Sequence, residues 1–130
     1  MERSALVVDD SRVVRKAARR MLEGFGFTVR EAEDGAQALA ACRAQPLPTM
    51  VLLDWNMPVM DGITFLRAAR AEFGAEQPRI VLCTTESEFS RIVEALQAGA
   101  QEYIMKPFDA AILGSKLAQI GLLDEAEVPA

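Results

Sequence analysis

Five polar groups in this 130-residue chain stand where short apolar runs stop. Asp9 and Asp10 follow Ala5–Val8, Asp54 follows Met50–Leu53, Thr84 closes the run from Ile80, and Lys106-Pro107 follows Glu102–Met105. If those runs are parallel strands, their carboxyl ends open on one crevice. Three carboxylates, a hydroxyl and an ammonium then meet. Mg²⁺ prefers oxygen ligands, keeps several waters and takes one or two carboxylates. Asp10 and Asp54 are the expected direct ligands, with Asp9 acting through water. A carboxylate can also attack phosphorus and form an aspartyl phosphate. The phosphoryl transition state spreads charge over its equatorial oxygens, so catalysis there is mostly positioning and charge stabilisation. Mg²⁺ would cover one side of that charge, Lys106 and Thr84 the other. Asp54 ends the most hydrophobic run, hence the central strand, and is the expected nucleophile. Such a pocket predicts a phosphorylatable switch.

Taken singly, each residue has an ordinary reading. Asp9-Asp10 suits a solvated turn, Thr84 is β-branched and at home in a strand, and Lys106 and Tyr103 are amphipathic surface types. Their joint placement at the ends of strands one, three, four and five carries the signal.

The elements that must position them read as an alternation. Strands are predicted at Ala5–Val8, Phe27–Arg30, Met50–Leu53, Ile80–Thr84 and Glu102–Met105; continuous runs such as Met50-Val51-Leu52-Leu53 mark strands buried on both faces. The first helix places Val13, Val14, Ala17, Ala18, Met21, Leu22 and Phe25 on one stripe, opposite Arg12, Arg15, Lys16, Arg19 and Arg20. Ser11 is its expected N-cap and Gly24 its stop. Further helices are predicted over 34–44, 62–73, 89–98 and 109–120, the fourth carrying Phe89, Ile92, Val93 and Leu96 at helical spacing. Five βα units in succession predict an α/β fold, a parallel sheet with helices on both faces. The chain divides into one domain, 1–123, and a short acidic tail, 124–130, expected to fray.

Composition narrows the class. One domain of this length buries roughly two-thirds of the surface its unfolded chain exposes, so no disulfide is required. A 51% hydrophobic content excludes a disordered chain. The net charge of −5 argues against non-specific nucleic-acid binding. Cys42 and Cys83 fall in no metal or redox spacing, no stretch reaches membrane-spanning length, and the start Met1-Glu2-Arg3-Ser4 enters the first strand directly. The expectation is a cytoplasmic protein without membrane or nucleic-acid partners. Lacking histidine, the chain can receive a phosphoryl group from a phosphohistidine but cannot be that donor.

Over residues 4 to 120 the sequence resembles the receiver domain of two-component response regulators, most closely the stand-alone chemotaxis members. The resemblance rests on Val-Val-Asp-Asp-Ser at 7–11, Asp-Trp-Asn-Met-Pro-Val-Met-Asp-Gly at 54–62, Thr84, and Tyr-Ile-Met-Lys-Pro-Phe at 103–108. It implies a flavodoxin-like (βα)5 fold with strand order 2-1-3-4-5, and a monomer. Asp54 would be the phosphoacceptor, and Asp10, Asp54, the Asn56 carbonyl and (through water) Asp9 would hold Mg²⁺. Thr84 would move to hydrogen-bond the phosphoryl group, and Lys106 would pair with it, across a cis bond to Pro107. Tyr103 would turn inward as Thr84 moves. The output surface of fourth helix, fifth strand and fifth helix would include Phe89, Ile92, Tyr103, Met105 and Lys116. Asn56 and Glu86 would tune dephosphorylation. Thr85 departs from the smaller residue common after the switch threonine. Implied partners are a histidine kinase or histidine phosphotransfer protein upstream and a target protein downstream, the role being motor control, relay intermediate or phosphate sink.

Moving a two-state protein from 1:99 to 99:1 takes about 5.5 kcal/mol of differential interaction. One hydrogen bond and one ion pair supply part of that, so phosphorylation is expected to shift the population partially and a partner to complete it. Two other functions are weighed. An aspartyl-phosphate phosphohydrolase would want a second carboxylate two residues after the nucleophile, where Asn56 stands, and usually a cap domain. A flavin carrier would need a phosphate-binding loop after the first strand, where Asp9-Asp10 would repel the phosphate. The basic face of the first helix reads first as a solvated face, and second as a steering surface for an acidic donor.

Overall fold

Each strand alternates between two buried faces, and this alternation builds the molecule. The computed structural model describes residues 3–44, 46–85 and 89–129, with Phe89 in its backbone only. In chain order the elements are β1 (Ser4–Val8), α1 (Arg12–Gly24), β2 (Thr28–Ala32), α2 (Gly35–Arg43), β3 (Met50–Asp54), α3 (Gly62–Phe73), β4 (Arg79–Thr84), α4 (Phe89–Ala98), β5 (Glu102–Met105) and α5 (Ala110–Gln119), then a 3₁₀ turn, Glu125–Glu127. The five strands are parallel in the order β2-β1-β3-β4-β5. On one face Leu6, Val8, Val51, Leu53, Ile80 and Leu82 pack against α2, α3 and α4 residues such as Leu39, Phe65, Leu66 and Ala95. On the other, Ala5, Val7, Leu52, Val81 and Ile104 meet Ala18 and Leu22 of α1 and Leu113 and Leu117 of α5. Neither face of the central strands meets water, which is why their sequences run apolar without interruption.

Among the described residues, side-chain caps start four of the α-helices. Ser11 accepts from the Val14 N–H, Asp34 from Gln37, Asp61 from Thr64 and Asp109 from Ile112. Each such cap contributes about 1 kcal/mol.

Three expectations are corrected. β2 extends past Arg30 to Ala32, because the polar residue that reads as a strand end, Glu31, lies against α1 and pairs with Arg15, Lys16 and Arg19. Those partners hold the Glu31 carboxyl down at about 2. The α1 stripe is narrower than its spacing implies: Ala18 and Leu22 are buried, yet Val13 is 79% exposed and Arg15, read as surface, is buried. The tail after Leu123 is docked rather than frayed. Glu127 receives two hydrogen bonds from the Arg3 guanidinium, each 2.8 Å, and the Val128 side chain lies beside Gly114 of α5.

Candidate functional site

Strand order reverses between β1 and β3, and there the crevice opens. Val8 pairs with Leu53, so Asp9 and Asp54 leave adjacent strands at the same level. Asp9 is fixed through four atoms. Its N–H donates to the Ala32 carbonyl at 3.1 Å, and its own carbonyl accepts from Arg15 Nη1 at 2.7 Å. Its Oδ1 accepts from the Ser11 N–H at 2.8 Å and its Oδ2 from Lys106 Nζ at 2.7 Å. Lys106 Nζ also donates to Asp54 Oδ1 at 3.1 Å. The Lys106 N–H is bound to the Thr84 carbonyl at 2.9 Å, so the ends of β4 and β5 set the ammonium's height. Lys106-Pro107 is cis.

The loop after Asp54 folds back tightly. The Gly62 N–H donates to the Trp55 carbonyl at 2.9 Å, and a Cβ at Gly62 would collide with the Asp54 carbonyl. Only glycine allows that approach. In the same loop Val59 takes φ 67° and is 85% exposed. A β-branched side chain in the left-handed region is strained, whereas Asn visits it readily. Val59→Asn is expected to raise stability by about 1 kcal/mol, read as a higher urea midpoint at unchanged m-value. An unchanged or lower midpoint would show that Val59 carries no strain.

Asp9 and Asp54 are buried and Asp10 is exposed, and one carboxylate oxygen from each lies within 4.8 Å of the others. A single ammonium leaves these acids in excess. Burial, reinforced by the Asp9 and Asp10 charges, pushes the Asp54 carboxyl above its ordinary value despite Lys106. Burial alone would lower Lys106, but the hydrogen bond and charge of Asp9 and the charge of Asp54 outweigh it and hold the ammonium above its usual range. Oxygen-only, anionic donors with one exposed member fit a hard divalent cation that keeps several waters. Cys83, opposite Asp54 in the sheet, is buried and its thiol is raised by that burial, so it is an inert wall.

Thr84 is buried at the end of β4, and Asn56 is exposed one residue beyond Trp55. Thr85 and Lys106 edge an apolar groove of about 370 Å³ between α1 and the β5–α5 connection, with Val13, Ala17, Met21 and Phe108 along it. Tyr103, Ile92, Met105 and Lys116 are half-buried on β5 and its flanking helices, separated from β3 by β4. There the Lys116 ammonium lies 4.3 Å from the Tyr103 ring centroid and 3.3 Å from Glu102. Glu86 and the Phe89 side chain lie outside the described residues.

Three contributors have little signature in the sequence. Arg15 looks like one of five cations on a helix face, and Gly62 like an ordinary helix start. Arg91 of α4 lies 5.1 Å from the Trp55 ring centroid, a contact between segments far apart in the chain.

Comparison with known proteins agrees with this fold. The model of the response regulator receiver domain matches residues 5–118. Chemotaxis protein CheY of Pseudomonas aeruginosa is 39% identical over 116 residues, 88% of this chain and 93% of that protein. The structure of Vibrio cholerae CheY4 superposes with a TM-score of 0.85 at 31% identity, covering 92% of this chain and 99% of that one. A CheX–CheY complex with BeF₃ and Mg²⁺ from Borrelia burgdorferi also gives 0.85, at 28% identity, covering 91% and 88%. With residues 5–118 matched by the family model, and fold and nearly whole length shared with CheY proteins, the chain belongs to the response regulator receiver domains and is CheY-like.

Proposed function

We propose that the protein is a stand-alone phospho-switch: it takes a phosphoryl group onto Asp54, with Mg²⁺ in the acid pocket, and changes the face it presents to a target protein. The observation that carries this reading is Lys106 Nζ bridging Asp9 and Asp54 at 2.7 and 3.1 Å beside the exposed Asp10. An Asp54 carboxylate oxygen attacks the donor phosphorus; the new O–P bond forms as the donor's N–P bond breaks, and the electron pair stays on the departing imidazole nitrogen. Lys106 neutralises charge on the arriving phosphoryl oxygens, and the Thr84 hydroxyl donates to one of them. Bound Mg²⁺, held by Asp10, Asp54 and the Asn56 carbonyl with Asp9 through water, supplies the remaining positive charge. A CheY relative crystallised with BeF₃ and Mg²⁺ supports the choice of Mg²⁺ as the cation.

Residues 1–123 form the receiver unit in this reading, with 124–130 as its tail. The donor is a histidine kinase or histidine phosphotransfer protein. The output face is α4, β5 and α5, with Phe89, Ile92, Tyr103, Met105 and Lys116, while Asn56 and Glu86 tune the phosphate lifetime. The protein works in the cytoplasm as a monomer and catalyses only its own phosphorylation and dephosphorylation. Resemblance to chemotaxis proteins favours a motor or chemotaxis-like target. Service as a relay intermediate or phosphate sink is the alternative.

Trp55, the single tryptophan, adjoins the phosphoacceptor and reports on it. Mg²⁺ is expected to change its fluorescence, and acetyl phosphate to change it again while intact mass rises by one phosphoryl group. A wild-type protein that responds to neither and gains no mass would overturn the phospho-switch reading.

A further inference from the structure

Arg15 is the one cation of α1 that the fold withdraws from solvent. Its residue is 8% exposed, while Arg12, Lys16 and Arg20 remain at the surface. Its guanidinium has three partners: Nη1 donates to the Asp9 carbonyl at 2.7 Å, Nε donates to Glu31 Oε1 at 3.1 Å, and Nη2 lies 3.9 Å from the exposed Glu33 carboxylate. Glu31 is itself anchored by Lys16 at 2.8 Å and Arg19 at 2.7 Å. The planar guanidinium therefore bridges a clamped carboxylate on β2 to the peptide that joins Asp9 to Asp10.

That peptide matters more than any other in the crevice. Its carbonyl belongs to Asp9, whose side chain is already shared between Ser11 and Lys106, and its nitrogen belongs to Asp10. Beyond Val8 the β1 ladder has ended. The Asp9 N–H bond to Ala32 holds the preceding peptide; on the Asp9–Asp10 peptide itself the Arg15 bond to the carbonyl fixes the plane, and with it the direction in which both carboxylates leave the backbone. Side chains that orient ligands from behind typically change metal affinity 10- to 100-fold when removed. We propose that Arg15 is the positioning residue of the acid pocket, setting its affinity for a divalent cation by holding the Asp9–Asp10 peptide. The inference rests on the reading of that pocket as a cation site.

The sign of the effect separates positioning from plain electrostatics. Arg15 is positive and lies behind an anionic pocket, so removing its charge should tighten cation binding if only Coulomb attraction mattered. Loss of positioning does the reverse. A Lys cannot replace the planar fork, because one ammonium does not span the carbonyl and the carboxylate in fixed directions.

The experiment is a Mg²⁺ titration of Trp55 fluorescence at 0.15 M salt for wild type, Arg15→Gln, Arg15→Lys and Glu31→Gln, with circular dichroism melts showing that each is folded at the titration temperature. Wild type should bind. Arg15→Gln and Arg15→Lys should bind about tenfold more weakly. Glu31→Gln leaves the carbonyl contact in place and should stay within about twofold of wild type. Folded Arg15 variants that bind as tightly as wild type, or more tightly, would overturn the assignment. So would a Glu31→Gln loss equal to that of Arg15→Gln, which would mark the α1–β2 ion pair as the operative contact. No Mg²⁺ binding in wild type would overturn this inference and the cation-site reading together; failure in the variants alone leaves that reading standing.

Discussion

Replacing Lys106 with Ala should lower stability at pH 7.5 by about 3 kcal/mol, with a thermal midpoint about 10 °C lower. The ammonium is shared by two buried carboxylates, and removing it leaves both without their counter-charge. Breaking one side of a buried pair costs far more than the pair itself contributes. The loss sits at the low end of the usual range because Asp54, already raised above its ordinary value by burial, can take up a proton.

That relief fixes the pH dependence. Lys106 has a folded-state pKa above its unfolded one, so its stabilisation is complete below the ordinary lysine range and is lost only as pH rises through the folded value. In Lys106→Ala the Asp54 carboxyl loses the charge that opposes its rise. The cost of the missing ammonium is therefore greatest above the carboxylate range and shrinks as pH falls and Asp54 protonates. Urea unfolding of both proteins at pH 7.5 and 4.5 tests this: the gap should narrow at pH 4.5, and added Mg²⁺ should recover part of it at pH 7.5. A gap below 1 kcal/mol, or one equal at both pH values, would mean that the ammonium does not hold this cluster.

Asp54→Asn should abolish phosphoryl gain from acetyl phosphate while making the protein more stable. The functional loss is total in the proposed mechanism because the amide oxygen is no longer a carboxylate nucleophile. The stability gain comes from charge. Like charges about 4 Å apart repel by roughly 4 kcal/mol at an effective dielectric near 20; Lys106 offsets much of this, leaving a net gain of about 1 kcal/mol on neutralisation. The linkage has the same sign. Asp54 is raised in the folded state, so its contribution is present below the ordinary Asp value and lost as pH rises through the folded value. At neutral pH the charged form is a cost, which Asn removes. Thermal melts at pH 7 should show Asp54→Asn above wild type without Mg²⁺, and the difference should shrink when Mg²⁺ neutralises the wild-type pocket. An equal or lower midpoint for Asp54→Asn without Mg²⁺ would remove the case for strained, clustered carboxylates.

The sequence by itself determined the architecture, because the determinants of a doubly covered parallel sheet are local. Four-residue apolar runs such as Met50–Leu53 cannot be half-solvated strands. Ser11, Asp34 and Asp109 mark helix starts through bonds to their own chain, and the polar residue after each run falls at a strand end. That placement was enough to gather Asp9, Asp54 and Lys106, since parallel strands in register bring their ends to one level.

Only the tertiary structure decided what depends on a partner distant in the chain. Glu31 looks like the end of β2, yet it continues the strand because three cations 12 to 16 residues earlier close on it. The tail looks frayed, yet Glu127 finds Arg3 across 124 residues. Val13 obeys the helical spacing of a core residue and is exposed, because among the described residues it lines an open groove between α1 and the β5–α5 connection. Arg15 has the spacing of a solvated cation and is buried, since α1 crosses the end of β1 where a carbonyl beyond the ladder needs a donor. Periodicity says which face a residue occupies; what faces it is decided when the elements pack.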